Sequence, residues 1–331
     1  MVRVRQESAM KVVILGAGAW GSILAGHLAR AGVEVALVAR GERARALAAN
    51  GVSVKGLAEF TVRVPIVEGS AVGALGACDV FVMTAKTYDT RAALESVRGL
   101  RPEMAMSVQN GVVKNEHLAS VFGWEHTAGC IANFSGEVSE DGVVHFTRNE
   151  GLYFGELPEG TSARSEAFAK AVNEAGIKAI ASEQIRSVEW SKYATWMGLT
   201  AVSVLTRLYT HELYQDEGLD VLQTELTREA VGLAAAFEVE VMDLGGLIFP
   251  KTMSAAATEE CVAVLKRAGA AMEAAGTTTH RMSALQDLLR GRRLEVEETF
   301  GWAVAKASEV GVGMPGLEVC WRLLAAVDRR T

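Results

Sequence analysis

The first half of the chain alternates short apolar runs with amphipathic stretches. The runs are continuous rather than alternating, as in KVVIL at residues 11–15. Continuous Val, Ile and Leu runs separated by helical stretches are typical of a parallel sheet that is covered by helices on both faces. The pattern predicts a first helix over 22–31 and two later strands, antiparallel at one edge of the sheet, at 143–146 and 152–154. The predicted buried strands span residues 11–15, 34–38, 62–67, 80–85 and 104–108.

The second half of the chain, from about residue 184, has a different pattern. Strand-like runs are absent from the sequence there, and apolar residues recur at helical spacing, as at Val221, Leu222 and Leu226. Gly311 and Pro315 mark the end and the start of the last two predicted helices. We therefore predict a leader over residues 1–9 that is disordered, an α/β N-terminal domain over 10–183 and an all-α C-terminal domain over 184–331.

A glycine-rich turn follows the first predicted strand. Residues 16–21 have the sequence GAGAWG, which matches the GxGxxG pattern of dinucleotide-binding turns between a strand and a helix. The first glycine allows a tight turn, the second lets a pyrophosphate approach the backbone, and the third lets helix and strand pack closely. We therefore predict a Rossmann fold, with an ordinary glycine-rich turn as the alternative. The predicted cofactor-binding residues of this turn are Gly16, Gly18, Ala19, Trp20 and Gly21.

The end of the second predicted strand indicates which dinucleotide is bound. NAD enzymes usually place Asp or Glu there to hold the ribose hydroxyls. This strand is instead followed by Arg40, with Arg43 and Arg45 close behind. Because a guanidinium pairs well with a phosphate, the sequence predicts NADP(H), with Arg40 at the 2′-phosphate. The alternative for Arg43 and Arg45 is that they are solvated helix residues, and for Arg45 this alternative is favoured.

The composition excludes several other classes of protein. The 331-residue chain has a formal net charge of −7, so it lacks the basic field that attracts nucleic acid. Its longest apolar stretch is too short to span a membrane. The four cysteines have no metal-binding spacing and are expected to be buried, reduced thiols of a cytoplasmic protein. We therefore expect no metal, nucleic acid or membrane partner, and a homodimer is compatible with the sequence.

Four further segments occur in a recognisable order. They are DVFVMTAK at residues 79–86, QNG at 109–111, WSK at 190–192, and SALQD with RRLE between 283 and 295. Together with the glycine turn and Arg40, they resemble the ketopantoate reductase (2-dehydropantoate 2-reductase) family over nearly the whole chain from Met10. The resemblance implies an NADPH-dependent reduction of a 2-oxo acid to a 2-hydroxy acid in pantothenate biosynthesis. It also implies a helical domain similar to that of 6-phosphogluconate dehydrogenase.

The resemblance implies roles for five individual residues. Lys192 matches the family's catalytic lysine, which gives a proton to the alkoxide that hydride addition leaves. Glu295 matches the glutamate that hydrogen-bonds the hydroxyl product or the lysine, and Ser283 matches the serine that binds the substrate carboxylate. Asn110 matches a residue that contacts the nicotinamide ribose and the substrate, and Lys86 one that lies near the cofactor. For the last two, the alternatives are a simple Asn-Gly turn and a strand-end lysine in water.

The residues of the helical half also have structural alternatives. Lys192 could be an ordinary surface lysine of a helix. Glu295 could belong to an acidic first helical turn, and its neighbours Glu297 and Glu298 are assigned to that turn and to solvent. Ser283 could be a helix N-cap, with the glutamine three residues later completing a capping box.

The sequence departs from the family's pattern at three positions. Family members that reduce ketopantoate usually carry asparagines four and eight residues after the lysine and a third in the loop beyond. This chain has Trp196, Thr200 and Thr210 there, and we expect Trp196 and Thr200 to bind substrate together with Asn110, Lys192 and Ser283. A site without hydrogen-bonding partners can lose on the order of 10⁴ in discrimination. The resemblance makes ketopantoate the leading substrate, and because of these three departures a bulkier or more apolar 2-oxo acid is the alternative.

Two other functions stay open on the sequence. An NADP(H)-binding sensor or scaffold without chemistry would also keep the glycine turn, although the retention of Lys192 and Glu295 argues against it. A related dehydrogenase for 3-hydroxyacids, glycerol 3-phosphate or opines would share the two-domain plan. Lys86 and the RRLE segment favour the ketopantoate reductase family over these related dehydrogenases.

Overall fold

A parallel sheet and a second, mixed sheet form the first half of the structure. The structure is a computed structural model that describes residues 10–331, so the predicted leader at 1–9 lies outside the described residues. One compact unit ends at Arg186, and another begins at Ser187. The strands of the first unit are β1 (Lys11–Leu15), β2 (Glu34–Val38), β3 (Val52–Gly56), β4 (Phe60–Val62), β5 (Ile66–Val67), β6 (Ala77–Met83), β7 (Arg101–Ser107), β8 (Ala128–Val138), β9 (Val144–Glu156) and β10 (Ala179–Ala181). Its helices are α1 (Ala19–Arg30), α2 (Gly41–Asn50), α3 (Thr90–Ser96), α4 (Lys114–Phe122) and α5 (Ala163–Glu174).

The first sheet is parallel throughout and is buried on both faces. Its strand order is β5-β2-β1-β6-β7, so the chain reverses its direction of travel across the sheet between β1 and β6. Along β1, Val12 and Ile14 belong to one hydrophobic core and Val13 and Leu15 to the other. Because both faces need apolar side chains, the strand is a continuous apolar run. The predicted α/β fold is confirmed, and the strands predicted at 11–15 and 34–38 have the observed bounds.

The segment predicted as one strand at residues 62–67 belongs to two sheets, so this prediction was wrong. β4 pairs with β3 in the second sheet, whereas β5 pairs with β2 in the first. Pro65 lies between them; it has no N–H group for a ladder, and its carbonyl accepts a bond from Leu37 N at 2.9 Å. The segment has apolar residues on both sides of Pro65 because each sheet faces a hydrophobic core, and Val64 between the two strands is buried.

The strands predicted at residues 143–146 and 152–154 are the two ends of β9, and their predicted place at an edge of the first sheet was wrong. The second sheet has the order β10-β9-β3-β4, and β8, which the sequence did not predict, pairs antiparallel with β9. The middle of β9 is TRNEG, and Gly151 there has a φ of +136°. Because this middle part is mostly polar, the sequence pattern predicted two separate strands where the structure has one.

The second unit consists of helices, as predicted. The helices from residue 185 onward are α6 (Ile185–Thr206), α7 (Thr210–Leu213), α8 (Glu217–Ala236), α9 (Pro250–Ala255), α10 (Thr258–Ala274), α11 (Ser283–Leu289), α12 (Trp302–Val310) and α13 (Pro315–Asp328). Gly311 ends α12 in the left-handed conformation (φ +74°), and Pro315 is at the start of α13. Within residues 10–331, none of the helices combines the length and the hydropathy needed to cross a membrane. All four cysteines are buried free thiols, and burial raises the pKa of Cys320 to about 11.

Candidate active site

The glycine turn between β1 and α1 is closely packed at its first and third glycines. Gly16 has a φ of +112°, and a Cβ there would lie 2.6 Å from Thr84 Oγ1 and 2.9 Å from Ala85 N. A Cβ on Gly21 would lie only 1.9 Å from the carbonyl oxygen of Gly16. The turn therefore needs glycine at both positions, because α1 begins directly against β1 and β6.

The second glycine of the turn leaves open space instead. Gly18 is exposed and is the N-cap of α1, and apart from its own chain neighbours no atom of residues 10–331 lies within 4 Å of where its Cβ would be. No side chain of the described chain caps α1, and its first turn carries no acidic residue. Trp20 donates its indole N–H to Phe134 O at 2.9 Å and so packs toward the second sheet. The first-turn N–H groups and the helix dipole at Ala19 therefore fit a phosphate.

Arg40 lies at the end of β2, where a cofactor ribose would be distinguished. It is the N-cap of α2, its side chain is 80% exposed, and its NH2 lies 2.7 Å from Asp89 Oδ2. An exposed ion pair of this kind contributes little, about 0–1 kcal/mol. The guanidinium can therefore exchange this carboxylate for a phosphate. Arg45 is exposed, as favoured, but Arg43 is half-buried and bonded to the glycine turn, so the solvated alternative for Arg43 is wrong.

Lys86 and Asn110 follow neighbouring parallel strands and so lie at one edge of the first sheet. Lys86 comes after β6 and is half-buried, and Asn110 comes after β7 and is buried. Ligands of such sheets bind at the carboxyl ends of the strands, next to the point where the strand order reverses. Both predicted residues therefore lie at the same end of the sheet as the glycine turn, which follows the parallel strand β1.

Two buried residues that the sequence did not assign hold the loop of Asn110 in place. Gln109 donates from Nε2 to Thr90 Oγ1 at 2.8 Å and accepts from Ser107 Oγ at 3.0 Å. Lys114 is only 2% exposed, and its Nζ donates to Gly111 O at 3.0 Å. The only available signal was the polar run after an apolar strand, and it did not indicate which side chains turn inward.

In the second unit, Lys192, Trp196 and Thr200 lie on one face of α6. They are spaced by four residues, which brings them into register along a helix. Lys192 is half-buried, and Trp196 and Thr200 are buried. The indole of Trp196 packs on Phe300 with 5.6 Å between ring centroids, and Thr200 Oγ1 has no hydrogen-bond partner in the described chain. Lys192 therefore shares one face of the helix with two buried side chains and is itself intermediate in exposure.

The start of α6 is fixed by aromatic packing and by two hydrogen bonds at Ser191. Trp190 stacks on Phe237 at 5.4 Å and lies 6.2 Å from Trp302. Ser191 Oγ donates to Ser187 O at 2.6 Å and accepts from Met242 N at 2.8 Å. The backbone that carries Lys192 is therefore held on both sides.

Glu295 is buried, and its backbone is tied to α6. Tyr193, the residue after Lys192 in α6, donates its hydroxyl to Thr299 O at 2.7 Å, and Thr299 Oγ1 in turn donates to Glu295 O. On the other side, Leu294 N donates to Asp328 Oδ1 at 2.6 Å. Glu295 precedes the π-helical turn Glu297–Gly301, so it is not in a first helical turn.

The two glutamates that the sequence assigned to solvent differ from each other. Glu297 is exposed and accepts from Trp321 Nε1 at 3.1 Å. Glu298 is half-buried and pairs with Arg293 at 3.0 Å, and burial raises its pKa. The assignment of Glu298 to solvent was wrong because the π-helical turn directs it inward.

Ser283 is the first residue of α11 rather than its cap. The N-cap is Met282, which makes no side-chain bond, and Gln286 donates to Arg281 O at 3.3 Å. The capping-box alternative for Ser283 was therefore wrong, because Ser283 is not the N-cap of α11. Thr210 is buried, and its hydroxyl lies 2.9 Å from His280 Nδ1, which joins the start of α7 to the segment before α11.

A parallel sheet with an open GxGxxG turn, followed by a helical unit with a half-buried lysine and a buried glutamate, defines a two-domain nicotinamide-dependent reductase. Family models support this class: the ketopantoate reductase PanE/ApbA model matches residues 12–159, and its C-terminal model matches 184–328. The chain belongs to the ketopantoate reductase family. No group of three metal-binding side chains occurs within the described residues.

Individual relatives agree with this membership. The 2-dehydropantoate 2-reductase of Pyrococcus abyssi is 28% identical over 95% of this chain and 97% of its own. The crystal structure of a PanE/ApbA family ketopantoate reductase from Ralstonia eutropha JMP134 is 25% identical, with a TM-score of 0.78 over 97% of this chain and 99% of its own. D-mandelate dehydrogenase, in a ternary structure with NADH and anilino(oxo)acetate, has the same fold at 18% identity and a TM-score of 0.82, over 97% of this chain and 99% of its own.

Proposed function

We propose that the chain uses NADPH to reduce a 2-oxo acid to a 2-hydroxy acid, with ketopantoate as the leading substrate. The observation that carries this proposal is the hydrogen-bonded connection, within the helical unit, between the helix that carries Lys192 and the backbone of Glu295. The helix that presents the amine is bonded through Tyr193 and Thr299 to the backbone of the buried carboxylate. A proton donor and its acidic partner on one fixed scaffold are what ketone reduction requires.

The first unit fits the dinucleotide. The open space at Gly18 and the uncapped start of α1 would hold the pyrophosphate, and Arg40 would hold the 2′-phosphate. Asn110 and Lys86 would contact the ribose and the nicotinamide end from the carboxyl edge of the sheet. The bound cofactor supplies a hydride to the ketone carbon.

The remaining chemistry belongs to side chains of the helical unit. Hydride addition places negative charge on the former ketone oxygen, and Lys192 Nζ stabilises that charge and gives it a proton. The neutral amine then recovers a proton from water, so one proton and one hydride are consumed in each turnover. Glu295 accepts a hydrogen bond from the amine or the new hydroxyl, and Ser283 donates its hydroxyl to the substrate carboxylate.

Replacing Lys192 tests the chemical role. We expect Lys192→Ala to lower kcat by about 10² or more while the Kd for NADPH stays unchanged. Lys192→Arg is the matched control, because it keeps the charge but raises the pKa of the donor. The proposal is overturned if the wild-type protein binds NADPH but turns over none of the 2-oxo acids tested. That result would identify the protein as the NADP(H)-binding sensor or scaffold.

Replacing Arg40 tests the cofactor preference. Removing one charge-assisted bidentate contact costs about 1.5–3 kcal/mol, so Arg40→Met should weaken NADPH binding roughly 10- to 100-fold. The Kd for NADH should change by less than about twofold, since NADH has no 2′-phosphate. A wild-type protein that binds NADH as tightly as NADPH would refute the assignment.

A second candidate substrate is a bulkier or aryl 2-oxo acid, and Trp196 favours it. An indole stands where ketopantoate reductases usually have an asparagine, and the fold neighbour D-mandelate dehydrogenase binds anilino(oxo)acetate. A screen that follows NADPH oxidation with ketopantoate, phenylglyoxylate and branched 2-oxo acids distinguishes the two. Turnover of phenylglyoxylate at a kcat/KM above that of ketopantoate would assign the second substrate.

A further inference from the structure

Arg43 lies against the inner side of the glycine turn. Its Nε donates to Ala17 O at 3.0 Å, and its NH2 donates to Ser22 Oγ at 3.2 Å. Ser22 Oγ itself donates to Ala17 O at 3.1 Å. The carbonyl of Ala17, between the first two glycines, is therefore held by two donors, and its peptide plane is fixed.

The same guanidinium reaches the second sheet. Its NH1 donates to Gly142 O at 2.9 Å, in the turn between β8 and β9. That turn is itself ordered, because Asp141 Oδ1 accepts from Ser139 Oγ at 2.6 Å and from Val143 N at 3.2 Å. Arg43 thus connects a turn 99 residues away in the sequence to the backbone of the glycine turn.

Arg43 differs from Arg40 in what its guanidinium contacts. All three nitrogens of Arg43 donate to acceptors of the protein, and burial lowers its pKa. The Arg40 side chain is 80% exposed, and its NH2 donates to Asp89 Oδ2 at 2.7 Å. Arg40 is therefore suited to contact the 2′-phosphate. Arg43 is suited instead to hold in place the backbone of the glycine turn, which would contact the pyrophosphate.

We propose that Arg43 is a positioning residue for nucleotide binding, which fixes the Ala17 peptide from the β8–β9 turn and so keeps the glycine turn in its binding conformation. The inference rests on the dinucleotide site proposed above. When a binding-competent conformation is only partly populated, the apparent Kd rises by the inverse of its fraction. Loss of Arg43 must therefore weaken the binding of every ligand that uses the pyrophosphate site, whether or not the ligand has a 2′-phosphate.

The experiment compares NADPH and NADH titrations, by nicotinamide fluorescence or calorimetry, for matched arginine variants. We expect Arg43→Met to raise both Kd values about tenfold, which is about 1.4 kcal/mol. Arg43→Lys should recover only part of this loss, because one ammonium cannot reach three acceptors in the plane of a guanidinium. Arg45→Met, on the exposed side of the same helix, should change neither Kd.

A second variant tests the connection without touching the arginine. Asp141→Ala removes two of the hydrogen bonds that order the β8–β9 turn at an exposed site. The backbone bonds between Ser139 and Val143 and from Gly142 N to Ser139 O remain, so the protein should fold normally and lose roughly threefold in affinity for both nucleotides. If Arg43→Met weakens the binding of NADPH but not of NADH, Arg43 is a direct ligand of the 2′-phosphate and the proposal is overturned. Unchanged Kd values for both nucleotides in Arg43→Met would also overturn it. If the wild-type protein binds neither nucleotide, the proposed cofactor site fails instead.

Discussion

Alanine at Gly18 and alanine at Gly21 add the same methyl group to one turn, and we expect opposite consequences. At Gly21 the new Cβ would lie 1.9 Å from Gly16 O and 2.6 Å from Thr84 Oγ1. Helix α1 would have to withdraw by roughly 1.5 Å to restore a contact of 3.4 Å. At Gly18 the new Cβ would meet nothing within 4 Å, and the backbone φ of −71° suits alanine.

These distances set the expected magnitudes. Gly21→Ala should lower the free energy of unfolding by about 3 kcal/mol, because the clash is with backbone that no rotamer change relieves. That loss corresponds to a fall in melting temperature of roughly 6–12 °C for a unit of this size. Gly18→Ala should cost less than about 1 kcal/mol of stability. It should weaken NADPH binding at least about tenfold, since the methyl group occupies the space of the pyrophosphate.

Thermal unfolding followed by circular dichroism, together with NADPH titration, measures both effects. Gly313→Ala adds a methyl group in open space between α12 and α13 and should change neither quantity. Wild-type NADPH affinity in Gly18→Ala, or a wild-type melting temperature in Gly21→Ala, would refute the reasoning.

Three further predictions concern the helical unit. Glu229 accepts two backbone N–H bonds of 2.8 Å at the start of α13, so Glu229→Gln should cost about 1–2 kcal/mol in urea unfolding, and an unchanged midpoint would contradict this capping role. Burial raises the pKa of Asp220 from 3.8 to about 7, so the folded state keeps a proton that the unfolded state loses, and stability should fall as pH rises through this window. Asp220→Asn should reduce that slope in urea titrations at pH 5 and pH 8; an unchanged slope would assign it to another group. Asp328→Asn removes the acceptor charge that fixes Leu294 beside Glu295, and we expect kcat to fall several-fold with the Kd for NADPH constant; an equal loss in both would indicate a general structural effect.

The parts of the fold that the sequence predicted are those that depend on local patterns. β1 and β2 were predicted at their observed bounds because each is a short apolar run that ends at a turn. The packing of Gly16 and Gly21 follows from a six-residue motif in a strand–helix context. Glycine is needed at these positions because the helix packs closely against the strand, and the strand, turn and helix are adjacent in the sequence.

The parts that the sequence did not predict depend on distant partners. β8 contains Ala, Gly, Cys and Asn among its residues, and it is a strand because β9 pairs along most of its length. Arg43 looks like a surface arginine until Ala17 and Gly142, 26 and 99 residues away, become its acceptors. Leu294, next to Glu295, likewise depends on Asp328, 34 residues later, to hold its backbone in place.

The long strand β9 also determines when this unit can fold during synthesis. Val54 of β3 pairs with Val144, and Ala179 of β10 pairs with Leu152, so β9 joins segments that leave the ribosome far apart in time. Until residues 144–146 of β9 have emerged, β3 is paired only with β4, and its other edge has exposed backbone groups. A nascent chain that stalls before that point would display an unpaired edge to other chains, and chaperone binding at this stage would protect it from aggregation.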